Sequence, residues 1–196
     1  RVRFDRLDPA PFAIDLGTTE QIVLNMNGGD DFFSATGNLA TLTKLTVDGG
    51  TGNDTIGGGN GIDLLMGGDG DDFIDGNQGN DTAFLGAGDD LFVWDPGDGS
   101  DKVEGQAGID TLDFNGSAIN EIFNLTANGG RALFTRDIGT IAMDLDDVEK
   151  IQLDTFGGTD TINVGDLTGT DVKTVTIDLG APAGGGEGGG DTNVAD

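Results

Sequence analysis

Residues 49 to 93 read GGTGNDTIG, GGNGIDLLM, GGDGDDFID, GNQGNDTAF and LGAGDDLFV, five consecutive blocks of nine. The fourth position is always glycine, at Gly52, Gly61, Gly70, Gly79 and Gly88. The sixth is always aspartate, at Asp54, Asp63, Asp72, Asp81 and Asp90. The eighth is apolar throughout, with Ile56, Leu65, Ile74, Ala83 and Phe92. After an insertion near Pro96 two more units keep the pattern through Gly99, Asp101 and Val103 and then Gly108, Asp110 and Leu112. A fixed internal period of this kind is the signature of a repeat architecture and takes precedence over local propensities.

Nine residues are too few for a helical repeat, but they accommodate a tight turn of about six residues followed by a strand of about three. Glycine supplies the positive φ that such a turn requires and leaves backbone carbonyls open to a ligand. Side chains alternate along the strand, so the eighth position points inward. Two blocks then complete one turn of a flattened solenoid, and turns on one side recur every second block. This predicts an all-β fold, a parallel β-roll or β-solenoid. One edge carries Asp54, Asp72, Asp90 and Asp110, and the other carries Asp63, Asp81 and Asp101.

Outward from the blocks, composition limits what the chain can bind. Nine Lys and Arg face 36 Asp and Glu, a formal charge of -27, which opposes nucleic acid and anionic membrane as partners and favours cations. There is no cysteine, histidine or tyrosine, so thiolate sites, His-bound zinc and Ser-His-Asp catalysis are ruled out within this chain. No apolar run reaches the 18 or so residues of a membrane-spanning helix. Carboxylates stacked at the inter-strand spacing of about 4.8 Å repel by about 3.5 kcal/mol per pair at an effective dielectric of 20. Along two edges that sum rivals the stability of a whole domain. The ion-free chain is therefore expected to be unfolded, and a hard divalent cation between successive turns reverses the sign. Carboxylate and carbonyl oxygens are the ligands calcium prefers.

The blocks resemble the G-G-x-G-x-D-x-U-x nonapeptide of the RTX, or haemolysin-type calcium-binding, repeats, closely over 49 to 93 and with an insertion to about 114. That resemblance implies a calcium-loaded parallel β-roll, exported unfolded by type I secretion and folded outside the cell. It implies side-chain ligands at Asp54, Asp63, Asp72, Asp81, Asp90, Asp101 and Asp110. Carbonyl ligands are implied at Gly50, Gly52, Gly59, Gly61, Gly68, Gly70, Gly79, Gly88, Gly99 and Gly108, with several calcium ions held and no catalytic residue. The functional classes that follow are a noncatalytic calcium-binding structural module of a secreted or cell-surface protein, an extracellular assembly or adhesion protein built from tandem solenoids, and the repeat region of a secreted enzyme whose catalytic domain lies elsewhere. Two extra residues in "FVWDPGDGSD" are expected to bulge the loop and to weaken or remove the site at Asp101. An EF-hand is excluded because twelve residues counted from Asp71 end at Thr82, not Glu. Trp94 and the phenylalanines are read as core or capping residues.

The flanks contain a second repeat. "EQIVLNMNGGDDFFS" at 20 to 34 aligns with "EKIQLDTFGGTDTIN" at 149 to 163, matching Glu20 to Glu149, Ile22 to Ile151, Asp31 to Asp160 and Phe33 to Ile162. The likeness extends to "RVRFDR" and "RALFTR" before, and to "LTVD" and "VTID" after. It predicts longer-rung solenoid coils at 1–48 and 117–180 around a roll at 49–116, with 131–178 duplicating 1–48. Residues 181–196 are read as a glycine-rich loop or linker that starts a further unit. Asp31 and Asp160 are extra candidate ligands or simple turn residues. A unit of roughly 130 residues predicts a longer tandem array and self-association.

Overall fold

Alternation along each strand decides which residues enter the core, because neighbouring side chains point to opposite faces of a sheet. The eighth-position residues Ile56, Leu65, Ile74, Ala83, Phe92, Val103 and Leu112 are all fully buried. The structure, a computed structural model, describes residues 2–6, 12–16, 20–37, 44–180 and 192–195. The glycine-rich stretch 183–190 lies outside them.

The strands β1 (Val2–Arg6) and β2 (Phe12–Leu16) form a small antiparallel sheet. From β3 (Gln21–Asn25) and β4 (Phe32–Ser34) onward the chain winds as a parallel solenoid, placing successive strands in two sheets alternately. One sheet takes β3, β5 (Lys44–Thr51), β7 (Leu64–Asp69), β9 (Thr82–Ala87) and β11 (Lys102–Ala107). The facing sheet takes β4, β6 (Thr55–Gly57), β8 (Phe73–Asp75), β10 (Leu91–Trp94) and β12 (Thr111–Asn115). Partners on adjacent rungs include Ile56 with Ile74, Ile74 with Phe92, and Leu65 with Ala83. The first sheet has longer strands than a six-plus-three division predicts, because Gly50, Gly68 and Gly86 remain paired beyond the glycine kink.

After β12 the parallel winding gains an antiparallel meander that the sequence reading did not anticipate. β13 (Ile122–Asn128) reverses at Gly129 and Gly130 into β14 (Arg131–Arg136), and a 3-10 turn at Ile138–Thr140 leads into β15 (Ile141–Asp146). The link between β13 and β14 is too short to cross the roll, and Gly129 adopts the left-handed φ of 69° that a hairpin requires. The chain therefore folds back within its own sheet. β15 pairs in parallel with β11, and β13 pairs in parallel with β17 (Thr161–Val164), so the meander is inserted into one sheet of the solenoid. Winding resumes with β16 (Lys150–Asp154) and β18 (Thr174–Asp178) in the sheet of β12, and with β17 and β19 (Thr192–Ala195) in the other.

β1 and β2 pair antiparallel, as β14 and β15 do. β3 aligns with β16, yet β3 sits in the ten-stranded sheet and β16 in the seven-stranded one. The two copies are thus half a solenoid turn out of phase.

Where the first-position glycine of a block gives way to a larger residue, the interior fills with aromatic rings. Trp94 and Phe114 stack in parallel with centroids 4.0 Å apart. Phe134 tilts against Phe114 at 4.6 Å and Phe123 meets it edge-on at 6.1 Å. Such buried rings contribute area and specific geometry together. Phe114→Ala is expected to destabilise the calcium-loaded protein by about 3–5 kcal/mol in urea unfolding, whereas Phe32→Ser, at a side chain 76 % exposed, should change stability by less than about 0.5 kcal/mol.

Candidate metal centres

Each sixth-position aspartate stands at the end of a turn, immediately before a strand, and all seven are buried. Their backbone N–H groups and carboxylates link the rungs. On one edge the amide of Asp31 donates to Asp54 Oδ1 at 2.8 Å, that of Asp54 to Asp72 at 2.7 Å, that of Asp72 to Asp90 at 2.7 Å and that of Asp90 to Asp110 at 3.0 Å. On the other edge the amide of Asp63 donates to Asp81 Oδ1 at 2.7 Å and that of Asp81 to Asp101 at 2.8 Å. These are the two columns expected from the period.

The insertion leaves Asp101 stacked under Asp81 in the second column. Its extra residues leave the roll as a local turn, in which the Asp98 amide donates to the Asp95 carbonyl at 3.0 Å and Asp98 Oδ2 accepts from the Asp95 amide at 2.7 Å. Trp94 Nε1 donates to the Gly99 carbonyl at 2.8 Å, and Lys102 remains paired with Thr82. The Gly99 carbonyl is therefore tied to the Trp94 indole.

The second carboxylate oxygen decides the chemistry. Oδ2 of Asp54, Asp72, Asp81, Asp90, Asp101 and Asp110 is buried and has no hydrogen-bond partner, as is Oδ2 of Asp31. Asp63 differs, because its Oδ2 accepts from the Gly59 amide at 2.6 Å. A buried carboxylate oxygen without a donor is strongly unfavourable, and at Asp54, Asp72, Asp81 and Asp110 a first-position glycine leaves room for it. A Cβ on Gly76 would lie 2.7 Å from Asp81 Oδ2, and one on Gly105 would lie 2.7 Å from Asp110 Oδ2. A Cβ on Gly67 would collide with both Asp72 Oδ2 and the Leu85 carbonyl, and one on Gly49 with Asp54 Oδ2 and the Gly67 carbonyl. Carboxylate and carbonyl oxygens thus converge from successive turns, a donor set that suits calcium and supplies no nitrogen or sulfur for softer metals.

Gly68 and Gly70, with φ of 117° and 131°, show why the second and fourth positions favour glycine. Gly50, Gly52, Gly79, Gly88 and Gly108 share that geometry, while Gly59, Gly61 and Gly99 are not among the positive-φ glycines. Asn77 and Gln106 take the second position with φ of 56° and 75°.

Three features escaped the sequence reading. Fifth-position side chains form an outer ladder running the opposite way: Asn53 Oδ1 accepts from the Asp71 amide at 3.1 Å, Asp71 Oδ1 from Asp89 at 2.9 Å and Asp89 Oδ1 from Ile109 at 3.0 Å. The signal was the Asn or Asp that precedes Asp54, Asp72, Asp81 and Asp90. Glu149 extends the first column, accepting from the Asp110 amide at 2.9 Å, and Glu121 occupies an equivalent place, its amide donating to Asp160 Oδ1 at 2.9 Å. Both precede an apolar strand, but their spacing from the last block is irregular. Finally, the carboxylates of Asp146, Asp147 and Asp171 come within 4.8 Å of one another near the end of the first column, and Asp146 also pairs with Arg131 at 2.8 Å.

Burial and like-charge neighbours raise the proton affinity of the columns. Asp72 is pushed up to about 6 by burial, with Asp90, Asp54 and Asp71 adding to it. Burial likewise moves Asp81 to about 8, Asp101 to about 7 and Asp110 to about 7.

The fold and its turns define a calcium-binding repeat β-solenoid. The family model described as RTX calcium-binding nonapeptide repeat (4 copies) matches residues 46–61, 57–92 and 96–113. Residues 46–113 are an RTX repeat region, a structural, calcium-binding kind of domain. No curated protein matches the chain. Among the described residues no helix is long and apolar enough to cross a membrane.

Without calcium, the folded columns hold protons that the unfolded chain, with aspartates near about 3.9, releases. Stability of the ion-free roll is then greatest below about pH 4 and falls as pH rises through the folded values of about 6 to 8. Far-UV circular dichroism in EDTA should show more β-structure at pH 5 than at pH 8; a signal that grows with pH would contradict this assignment of the titrating groups.

Proposed function

We propose that the chain is a noncatalytic structural module of a secreted bacterial RTX protein, which folds when it binds calcium outside the cell. The observation that carries this reading is the set of buried, donor-less Oδ2 atoms on Asp54, Asp72, Asp81, Asp90, Asp101 and Asp110. At Asp54, Asp72, Asp81 and Asp110 that oxygen lies against a first-position glycine, and a cation shared between turns would satisfy two of them at once. The side chains of these aspartates and of Asp63 are the anionic ligands. The carbonyls of Gly50, Gly52, Gly59, Gly61, Gly68, Gly70, Gly79, Gly88, Gly99 and Gly108 complete the shells. Asp31, one rung before Asp54 and bonded to it in the same manner, extends the first column. Export by type I secretion follows from the usual setting of RTX repeats, and it delivers the chain unfolded to a compartment where calcium is abundant.

In this reading a roll at 49–116 lies between duplicated units at 1–48 and 117–180. The spatial correspondence of β1 and β2 with β14 and β15 favours a second reading as well. In it the module is one unit of a tandem solenoid array with an extracellular assembly or adhesion role, and calcium rigidifies each roll.

A calcium titration followed by circular dichroism tests the proposal. The expected course is a disordered spectrum in EDTA that turns β-rich with half-saturation of about 0.1 to 1 mM, as for extracellular calcium modules, and that reverses on chelation. Asp72→Ala, at a residue bonded to the rungs on both sides, should raise the midpoint and lower the cooperativity. A β-rich spectrum indifferent to EDTA, with no calcium retained, would sink the proposal.

A further inference from the structure

Glu121 occupies a calcium-column position without the orphaned oxygen found at Asp54, Asp72, Asp81, Asp90, Asp101 and Asp110. Its amide donates to the carboxylate of the next rung, Asp160 Oδ1, as the amides of the sixth-position aspartates do. The residue five places before it is glycine, and a Cβ on Gly116 would lie 2.8 Å from Glu121 Oε2. The same construction places Asp81 over Gly76 and Asp110 over Gly105. Yet both oxygens of Glu121 are satisfied by the protein. Oε1 accepts from Arg136 Nε at 2.5 Å and from the Ser117 hydroxyl at 3.0 Å, and Arg136 Nη2 closes on the same oxygen. Oε2 accepts from the Ser117 amide at 2.7 Å.

The guanidinium is itself enclosed. Arg136 is 5 % exposed, its Nη2 donates to the Ser117 hydroxyl at 3.0 Å, and its Cζ lies 5.3 Å from the centre of the Trp94 ring. A planar cation with directed donors suits such a dry pairing better than an ammonium does. Arg136 is the last residue of β14, the central strand of the inserted meander, and pairs across the sheet with Phe123 and Ile141. The meander thus delivers a covalently attached cation to a turn of the roll. Charge is distributed to match. Residues 46–113 contain sixteen acidic side chains and one basic one, whereas 117–178 contain eleven and four.

We infer that the Glu121 turn is a calcium-type site occupied by the chain's own Arg136, and that residues 117–178 consequently form a cap that keeps its fold when calcium is removed. The roll at 46–113 needs an ion that the solution must supply, while the Glu121 turn of the cap carries its cation in the sequence. A template, β15 in one sheet and β16 in the other, is then already present when calcium arrives, and the last rungs of the roll, β11 and β12, form against it. This inference rests on the calcium-dependent roll proposed above and adds where folding begins.

Hydrogen exchange read by mass spectrometry on the intact chain, with calcium and with EDTA, tests it. In EDTA, peptides from 46–113 should exchange as unfolded chain while the strands at 122–128, 131–136, 141–146 and 161–164 stay protected. Arg136→Gln, which leaves the Glu121 carboxylate buried without its cation, should speed exchange of those strands in EDTA on the order of 100-fold. Arg136→Lys should rescue part of that loss through charge alone. Exchange of the cap as fast as that of the roll in EDTA would overturn the inference and leave the calcium reading intact. An Arg136→Gln protein whose cap stays as protected as the parent's would also overturn it. Protection of both regions in EDTA would remove the calcium reading and this inference together, since a contrast between the regions is what is asserted.

Discussion

A buried carboxylate with one oxygen committed and the other lacking a donor is the constraint on which the rest of this structure depends. Oδ1 of Asp54, Asp72, Asp81, Asp90, Asp101 and Asp110 accepts the amide of the preceding rung at 2.7–3.0 Å, which sets the vertical spacing. Oδ2 then necessarily faces the turn. Everything in the nine-residue period serves that arrangement. The first-position glycine clears the space, positive-φ glycines bend the turn around it, and the eighth-position side chain anchors the strand that holds the aspartate in register. Hydrophobic burial alone cannot compensate for the loss, because the inward-facing residues per rung are few and the like-charged carboxylates stand about 4.8 Å apart.

The chain meets this problem in two ways along one solenoid. In the repeat region the counter-charge we propose is a calcium ion from solution. At the Glu121 turn the missing charge is Arg136, brought in by two strands that break the parallel winding. The aromatic cluster of Trp94, Phe114, Phe123 and Phe134 lies between these regimes. There the first-position glycine is gone and the interior is wide enough for rings. The outer ladder of Asn53, Asp71 and Asp89 adds rung-to-rung bonds that require no ion, so register is specified even where charge opposes compaction.

Much of this was legible in the sequence because a period of nine with three fixed positions admits few geometries. Gly, Asp and an apolar residue at the fourth, sixth and eighth places located the turns, the columns and the core, including Asp101 beyond the insertion. The meander was not legible. "EIFNLTAN" and "RALFTR" alternate as solenoid strands do, and only the Gly129–Gly130 reversal between them distinguishes a hairpin from another coil. Glu121 and Glu149 were missed because the count of nine fails after residue 113, and Arg136 because its partner stands fifteen residues away on a neighbouring strand. The insertion misled in the opposite sense. Two extra residues in a turn can leave the roll sideways, so the hydrogen bond from Asp81 to Asp101 survives.

The most direct measurement is crystallographic: anomalous scattering from calcium in crystals grown with the ion. Peaks are expected in both columns, each beside a carboxylate oxygen of Asp54, Asp72, Asp81, Asp90, Asp101 or Asp110 and a carbonyl oxygen from an adjacent turn, with none at the Arg136–Glu121 pair. Ordered turns with no anomalous signal beside those oxygens would contradict the claim that calcium is the missing partner of the buried carboxylates.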